Sequence, residues 1–394
     1  MPPVVYTSRA LYTPVEILDH PVLIVDDSTI LKLGTRTSVE VPSNADIHDF
    51  GDCIIAPGFV DIHVHGSAGY EVMQADGAQR CNFEQFLSRH GVTSYYPTTL
   101  AAPLDLTESA LERLANAIEG DGRENADCNG RAQPLGIHLE GPFLSHSRRG
   151  VHLLGDLVPP TIKVFNKLWQ AARGHIRLMT IAPEVDGALE VIAEATKRGV
   201  CVSLGHSDAD LESTRRATVV GARHATHTFN AMRPMRHRDP GIVGEILTNP
   251  RLTADVIADG VHVDPLMVQL FLKVKGVEAA VLITDATSAT GMPDGKYQLG
   301  FLEVEVKDGK CLHEGRLAGS VLTMDRAVRN AMSFAGWDLQ QAVRIASANP
   351  ARIAGANNKG MLNPGADADF VVLTPSGDVR ATVVQGKFVR ESVD

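Results

Sequence analysis

Ala56-Pro57-Gly58-Phe59-Val60-Asp61-Ile62-His63-Val64-His65-Gly66 reads as the end of a buried strand with two histidines on one side. Residues two apart on a strand point to the same face. His63 and His65 therefore face together, and Val64 faces away. Two imidazoles aimed into one space suit a metal ion such as Zn2+, which takes neutral ring nitrogens at about 2.0–2.1 Å. Two ordinary histidines at a strand end would look the same locally, so the reading depends on ligands elsewhere in the chain.

Outward from this stretch, apolar strand-like runs alternate with helical ones. After His65 come a helical segment, Asn82 to His90, and a strand from Gly91 to Tyr96 ending at Pro97-Thr98-Thr99. Leu106 to Glu119 has helical spacing, with Leu111, Leu114 and Ala115 on one face. Further runs are Leu135–Leu139, Ile176–Thr180, Val200–Leu204, Ala225-Thr226, Thr253–Ile257 and Ala280–Thr284, most of them separated by helices such as Asp186 to Arg198. That makes about eight strands between 56 and 364. A (β/α)8, TIM-like barrel fits this length and rhythm, and a doubly wound sheet is the alternative. Polar residues favour the barrel. They sit just beyond strands spread over the whole region, and a barrel brings all those ends to one face.

Glu140 closes the strand in Gly136-Ile137-His138-Leu139-Glu140-Gly141-Pro142-Phe143. A carboxylate there is costly unless paired, ligating or solvated at the rim. His138 shares its face but lies deeper, as a core or supporting residue. His206 in Leu204-Gly205-His206-Ser207 and His227 in Thr226-His227-Thr228 each follow a short strand, and Asp285 ends the run Leu282-Ile283-Thr284-Asp285. His224 lies at the other end of its strand and is a weak candidate. His63, His65, Glu140, His206, His227 and Asp285 thus form one set of imidazoles and carboxylates suited to a borderline divalent metal. Such an ion makes water nucleophilic near neutral pH, so hydrolysis is the expected chemistry. Asp285 is the expected proton carrier, because Glu140 is better placed as a shared ligand. No nucleophile elbow, GxGxxG or Walker sequence is present, which disfavours a dehydrogenase or kinase.

Both tails read as short strands, so residues 1–55 with 365–394 are expected to form one small split β domain beside a catalytic barrel of 56–364. In the first tail the strands are Val22–Val25, Thr29–Gly34 and the alternating Ser38–Pro42; in the second, Asp369–Leu373 and Val379–Lys387. A formal net charge of −10 argues against non-specific nucleic-acid binding, which needs basic surface. Five scattered cysteines without a CxxC argue against a disulfide framework or zinc knuckle and suggest a reducing cytoplasm. No signal peptide is apparent, and no apolar run reaches the roughly 18 residues that a membrane helix needs, so no membrane partner is expected.

The barrel-end stretches resemble the amidohydrolase superfamily, and more narrowly its branch that deacetylates phosphorylated amino sugars. The marks are the PGFVDIHVHG run from Pro57 to Gly66, HLEGPF from His138 to Phe143, Gly205-His206-Ser207 and THTFNAM from Thr226 to Met232. Asp259-Gly260-Val261-His262, Thr284-Asp285-Ala286 and Leu317-Ala318-Gly319-Ser320 belong to the same pattern. The resemblance implies that Glu140, His206 and His227 hold one divalent ion. His63 and His65, with bridging Glu140 and Asp285, would hold a second. One or two ions per subunit are therefore expected, zinc first, with iron, manganese or cobalt as alternatives. It further implies that His152 polarises the acetamide carbonyl, that Asn230 and the Ala231 backbone N–H contact the sugar phosphate, and that Arg238 and His262 bind the phosphate. The implied reaction, in amino-sugar metabolism, hydrolyses N-acetylglucosamine 6-phosphate to glucosamine 6-phosphate and acetate. The resemblance also implies that the split domain of 1–55 with 365–394 is a small β-sandwich, and it implies a homodimer, since part of the family's pocket crosses a subunit interface. The alternatives are a same-fold hydrolase of another N-acyl amino sugar or a cyclic amide, and a non-catalytic sugar-phosphate sensor.

Overall fold

The computed structural model describes residues 2–120 and 130–389; Met1, Cys128 and the last residues of the second tail, 390–394, lie outside them. Eight parallel strands surround one apolar core: β1 (Phe59–Val64), β2 (Val92–Thr99), β3 (Ile137–Glu140), β4 (Ile176–Ile181), β5 (Cys201–Leu204), β6 (His224–Ala225), β7 (Ala254–Ile257) and β8 (Ala280–Ile283). Neighbours pair in sequence order from β1 to β6, and β7 pairs with β8. Two sets of single contacts close the ring. Val64 bridges Ala286 in parallel, joining β8 back to β1. Backbone bonds Thr228 N–H to Asp255 C=O (2.9 Å) and Thr253 N–H to Arg223 C=O (3.0 Å) span β6 and β7. The expected barrel is therefore the observed one.

Seven helices fill the connections: α1 (Gly77–Arg89), α2 (Leu104–Glu119), α3 (Ile162–Ala171), α4 (Ala188–Lys197), α5 (Leu211–Val220), α6 (Gly241–Thr248) and α7 (Pro265–Ala279). Local chemistry sets where they start. Asp76 and Gln79 form a reciprocal capping box at α1, and the Asp264 carboxylate caps α7 just before Pro265. Among the described residues, no helix is long and apolar enough to cross a membrane.

The two tails meet in a second, smaller core. A four-stranded sheet (Thr29–Thr35, Pro21–Asp26, Val4–Thr7, Asp46–Asp49) faces a six-stranded one in which Ile54–Pro57 pairs with Phe370–Leu373. Tyr6, Leu11, Leu23, Ile55, Phe370 and Val383 pack between them. The alternating stretch Ser38–Pro42 does not form the expected strand. The Ser38 hydroxyl accepts the Thr35 N–H at 2.8 Å, and the Thr35 carbonyl takes the N–H groups of Ser38 and Val39, so the chain turns there. The pairing strand is Asp46–Asp49 instead. A further antiparallel sheet, Gly295–Leu299, Leu302–Lys307, Lys310–His313 and Arg316–Leu317, follows β8 and was not foreseen. Among the described residues, Cys53, Cys201 and Cys311 are free thiols.

Candidate metal centre and active site

The C-terminal ends of the barrel strands open at one mouth. His63 lies on β1 with His65 just beyond it, and Glu140 is the last residue of β3. His206, His227 and Asp285 each stand two residues past the end of β5, β6 and β8. All three have left-handed backbones, with φ of 46°, 32° and 49°. That conformation costs an L-residue about 1–3 kcal/mol and persists only where the surroundings hold it. Here it folds each side chain back over the barrel mouth.

The six side chains fall into two groups, His63 with His65 and Asp285, and Glu140 with His206 and His227; within each group the candidate ligand atoms lie within 4.8 Å of one another. Glu140 stands between them. Its Oε1 is 3.2 Å from Nε2 of both His206 and His227 and 3.5 Å from Nε2 of His63, while its Oε2 is 3.3 Å from Nε2 of His65. Asp285 Oδ1 is 3.5 Å from His63 Nε2 and 3.3 Å from His65 Nε2.

The ring tautomers test whether this set fits a cation. His65 Nδ1 donates to the Thr98 carbonyl at 3.0 Å, and His206 Nδ1 donates to the Arg148 carbonyl at 3.0 Å. With one proton placed there, the remaining nitrogen of each ring, Nε2, faces Glu140 and is free to take a proton or a cation. Nε2 of His65 is 3.2 Å from Nε2 of His63, and Nε2 of His206 is 3.0 Å from Nε2 of His227. Lone pairs and carboxylate oxygens this close, in a dry interior, call for positive charge among them. Protons supply it in the bare protein. Burial opposes charge on His65, but hydrogen bonds to Asp285 and Glu140 push its pKa up to about 10. His227 is likewise raised, against burial and chiefly by Glu140, to about 9. Burial alone would raise the Glu140 carboxyl, yet the His63 ring and the hydrogen bonds from His206 and His227 hold it well below its ordinary value. Imidazole and carboxylate donors that converge in this way fit a divalent ion.

Above the two groups opens a cavity of about 180 Å³ lined in part by His152, Asn230, Ala231 and His262. The Ala101 N–H points at His152 Nδ1 from 3.2 Å, so a neutral His152 carries its proton on Nε2, which lies 3.9 Å from Glu140 Oε2. Burial, followed by the neighbouring His206, pulls His152 down to about 3, which keeps it neutral. It therefore presents an N–H donor to the cavity. His262 turns its Nδ1 to the Asp259 carboxylate at 2.7 Å, while that carboxylate also takes the His262 backbone N–H at 2.8 Å. The Asn230 amide donates to the His227 carbonyl at 3.3 Å. Ala231 has φ of 49°. Arg238 is exposed and lines no part of this cavity within the chain.

Two carboxylates that position the site were not singled out in the sequence. Asp61, fully buried on β1, accepts the Thr284 hydroxyl at 2.5 Å and the His63 N–H at 3.3 Å. Burial lifts its pKa to about 6 despite those bonds. Asp255, fully buried on β7, takes the His227 N–H on Oδ1 and faces His224 Nε2 at 2.9 Å with Oδ2. Each was visible as an aspartate inside an apolar strand, a placement that demands partners. His138 lies beneath the centre, with Nε2 2.8 Å from the Thr180 hydroxyl and its ring edge-on to His63. It supports the site from below, outside both ligand groups.

A parallel barrel with this bipartite histidine and carboxylate mouth defines a metal-dependent hydrolase architecture, and the chain belongs to the amidohydrolase family, which it matches over residues 54–389. Within that family its relatives are amino-sugar-phosphate deacetylases. It is 37% identical over 335 residues to the N-acetylglucosamine-6-phosphate deacetylase of Lysinibacillus sphaericus, spanning 84% of either chain. It is also 37% identical over 336 residues to the N-acetylgalactosamine-6-phosphate deacetylase of Escherichia coli O157:H7, spanning 85% of this chain and 87% of that one. The N-acetyl-D-glucosamine-6-phosphate deacetylase of Mycobacterium smegmatis, solved in complex with N-acetyl-D-glucosamine-6-phosphate, superposes with a TM-score of 0.91 at 33% identity, covering 99% of this chain and 100% of that one.

Proposed function

We propose that the chain hydrolyses N-acetylglucosamine 6-phosphate to glucosamine 6-phosphate and acetate. The observation that carries this is the pair of ligand groups joined at Glu140, with the His152 N–H presented beside them in the same cavity. Glu140, His206 and His227 would hold one ion, and His63, His65 and Asp285 would hold a second across Glu140. A divalent ion there supplies Lewis acidity, lowering the pKa of water and polarising an amide carbonyl. Asp285 accepts the proton of the attacking water as the new carbon–oxygen bond forms. It then delivers that proton to the amide nitrogen as the carbon–nitrogen bond breaks, so the amine leaves neutral. His152 donates its Nε2 hydrogen to the carbonyl oxygen as negative charge builds on it.

The sugar phosphate lies on the side of Asn230, Ala231 and His262. Arg238 joins it from a second copy in a homodimer; its exposure and its distance from the chain's own cavity favour action in trans, and its planar fork suits phosphate oxygens. The ion is zinc, the protein works in the cytoplasm, and residues 1–55 with 365–394 form a small domain beside the catalytic 56–364. The test is acetate release from N-acetylglucosamine with and without the 6-phosphate, with ion content measured on the same sample. The 4-epimer, N-acetylgalactosamine 6-phosphate, is included because one relative carries that name. Release from the phosphorylated glucosamine derivative is expected to dominate; equal rates with and without phosphate would overturn the assignment.

A further inference from the structure

The cavity has an apolar end that the reaction above leaves unused, and its placement follows from the barrel. Asn230 and Ala231 follow β6 and His262 follows β7, whereas Leu100 follows β2, which lies four strands from β6 and so across the mouth. With the sugar phosphate on the β6 and β7 side, the amide nitrogen near Asp285 and the carbonyl oxygen toward His152, the remaining substituent of the acyl carbon points to the β2 side. There the cavity is closed by Leu100 and Leu299, which are 6% and 1% exposed.

Leu299 is delivered by the turn of the added sheet. It pairs with Leu302 across Gly300-Phe301. Gly300 has φ of 56°, and a Cβ there would lie 2.9 Å from Leu100 Cδ1, so the tip rests directly on Leu100. The Gln74 amide donates to the Gly300 carbonyl at 2.5 Å and the Ser288 hydroxyl donates to the Gln298 carbonyl, which pin the tip in place. Behind this wall is a second recess of about 20 Å³ that shares Leu100, His152 and Leu299 with the catalytic cavity, with Leu153 and Phe301 on its far side. It has room for about one water-sized group.

Building on the deacetylase reading, we propose that Leu299, seated on Leu100, is the wall that the N-acyl methyl meets, and that it restricts the enzyme to short acyl groups. The recess behind it is space that a longer acyl chain would enter once the wall is cut back.

The experiment compares kcat/KM for glucosamine 6-phosphate carrying N-acetyl, N-propionyl and N-butyryl groups, in the wild type and in Leu299→Ala, Leu100→Ala and Leu299→Met. Activity common to all three substrates cancels in the ratio of butyryl to acetyl. One methylene against a hydrophobic wall is worth about 10-fold or more. The wild type should therefore discriminate steeply against butyryl, and either alanine variant should raise the ratio by about 10-fold or more. Leu299→Met, which keeps the volume, should leave discrimination in place. If Leu299→Ala does not fold, Leu100→Ala tests the same wall from its other side. A wild type that hydrolyses butyryl as well as acetyl, or alanine variants that lose all three substrates in proportion, would overturn the proposal. Failure of the wild type to release acetate from any N-acetylated sugar phosphate overturns the deacetylase reading and the wall with it, and is told apart because it appears before any variant is compared.

Discussion

Replacing Asp255 by alanine removes a carboxylate that touches neither the cavity nor a candidate metal, yet it should empty part of the centre. Asp255 holds the backbone N–H of His227 with one oxygen and the His224 ring, 2.9 Å away, with the other. Alanine strands both donors in a fully buried position. An unpaired buried donor costs about 1–3 kcal/mol, so two cost about 2–6 kcal/mol, at the low end if water fills the vacated space. The consequence for function comes through His227. Its left-handed φ of 32° is held by that N–H bond, and a free backbone would relax and swing the ring away from Glu140 and His206. Stability and ion affinity should fall together. Urea unfolding of loaded and chelated protein, with ion content after dialysis, measures both. Asp255→Asn is the control. It keeps an acceptor for the His227 N–H, and His224 can change tautomer because the Thr253 hydroxyl at its Nδ1 either gives or takes a hydrogen. It should retain most of the stability and the ion. An alanine variant with unchanged unfolding midpoint and full ion content would show that Asp255 does not position His227.

Three further outcomes are expected. Asp285→Asn should lower kcat by about 10²- to 10⁴-fold with ion still bound, and an unchanged kcat would remove Asp285 from proton transfer. In the bare protein His65 and His227 are raised to about 10 and about 9. A raised folded pKa gives stability that is complete below the unfolded histidine value of about 6.5 and is lost as pH rises through the folded values. Chelated protein should therefore melt progressively lower from about pH 7 to pH 10, and ion uptake near pH 7 should expel protons. Titration calorimetry in buffers of different ionisation heat reads the second effect; identical heats in all buffers would contradict it. Arg238→Ala should raise KM for the phosphorylated substrate and leave the unphosphorylated sugar almost unaffected; equal losses on both would exclude phosphate recognition.

Much of this was legible because barrel chemistry is written at strand ends. The βα rhythm gave eight strands, and a carboxylate or histidine just after an apolar run marked the mouth at Glu140, His206, His227 and Asp285. Spacing could not show that three of these turn through left-handed backbone, since that depends on contacts between neighbouring strands. Asp61 and Asp255 escaped notice for the opposite reason. Each is one polar residue within a buried run, and its partners, Thr284 and His224, are distant in sequence. The sheet from Gly295 to Leu317 was missed although Leu302–Lys307 alternates apolar with charged residues, because its half-exposed strands fall outside the βα rhythm. Ser38–Pro42 alternated well but lost its strand to a serine that bonds its own backbone.

The pairing of Ile54–Pro57 with Phe370–Leu373 also bears on how the protein is made. At about 5–20 residues per second, a ribosome that has released the first strand needs roughly 15–60 s to produce its neighbour. Through that interval Ile54 and Ile55 can pair with Ala10 and Leu11 on one side, but their other edge stays open, and an unpaired edge invites association with other nascent chains. The barrel beginning at Phe59 can build strand by strand as it emerges, whereas the small sheet must wait. Its closure waits until every barrel strand has emerged, and it ties the start of the small sheet to a segment far from the chemistry.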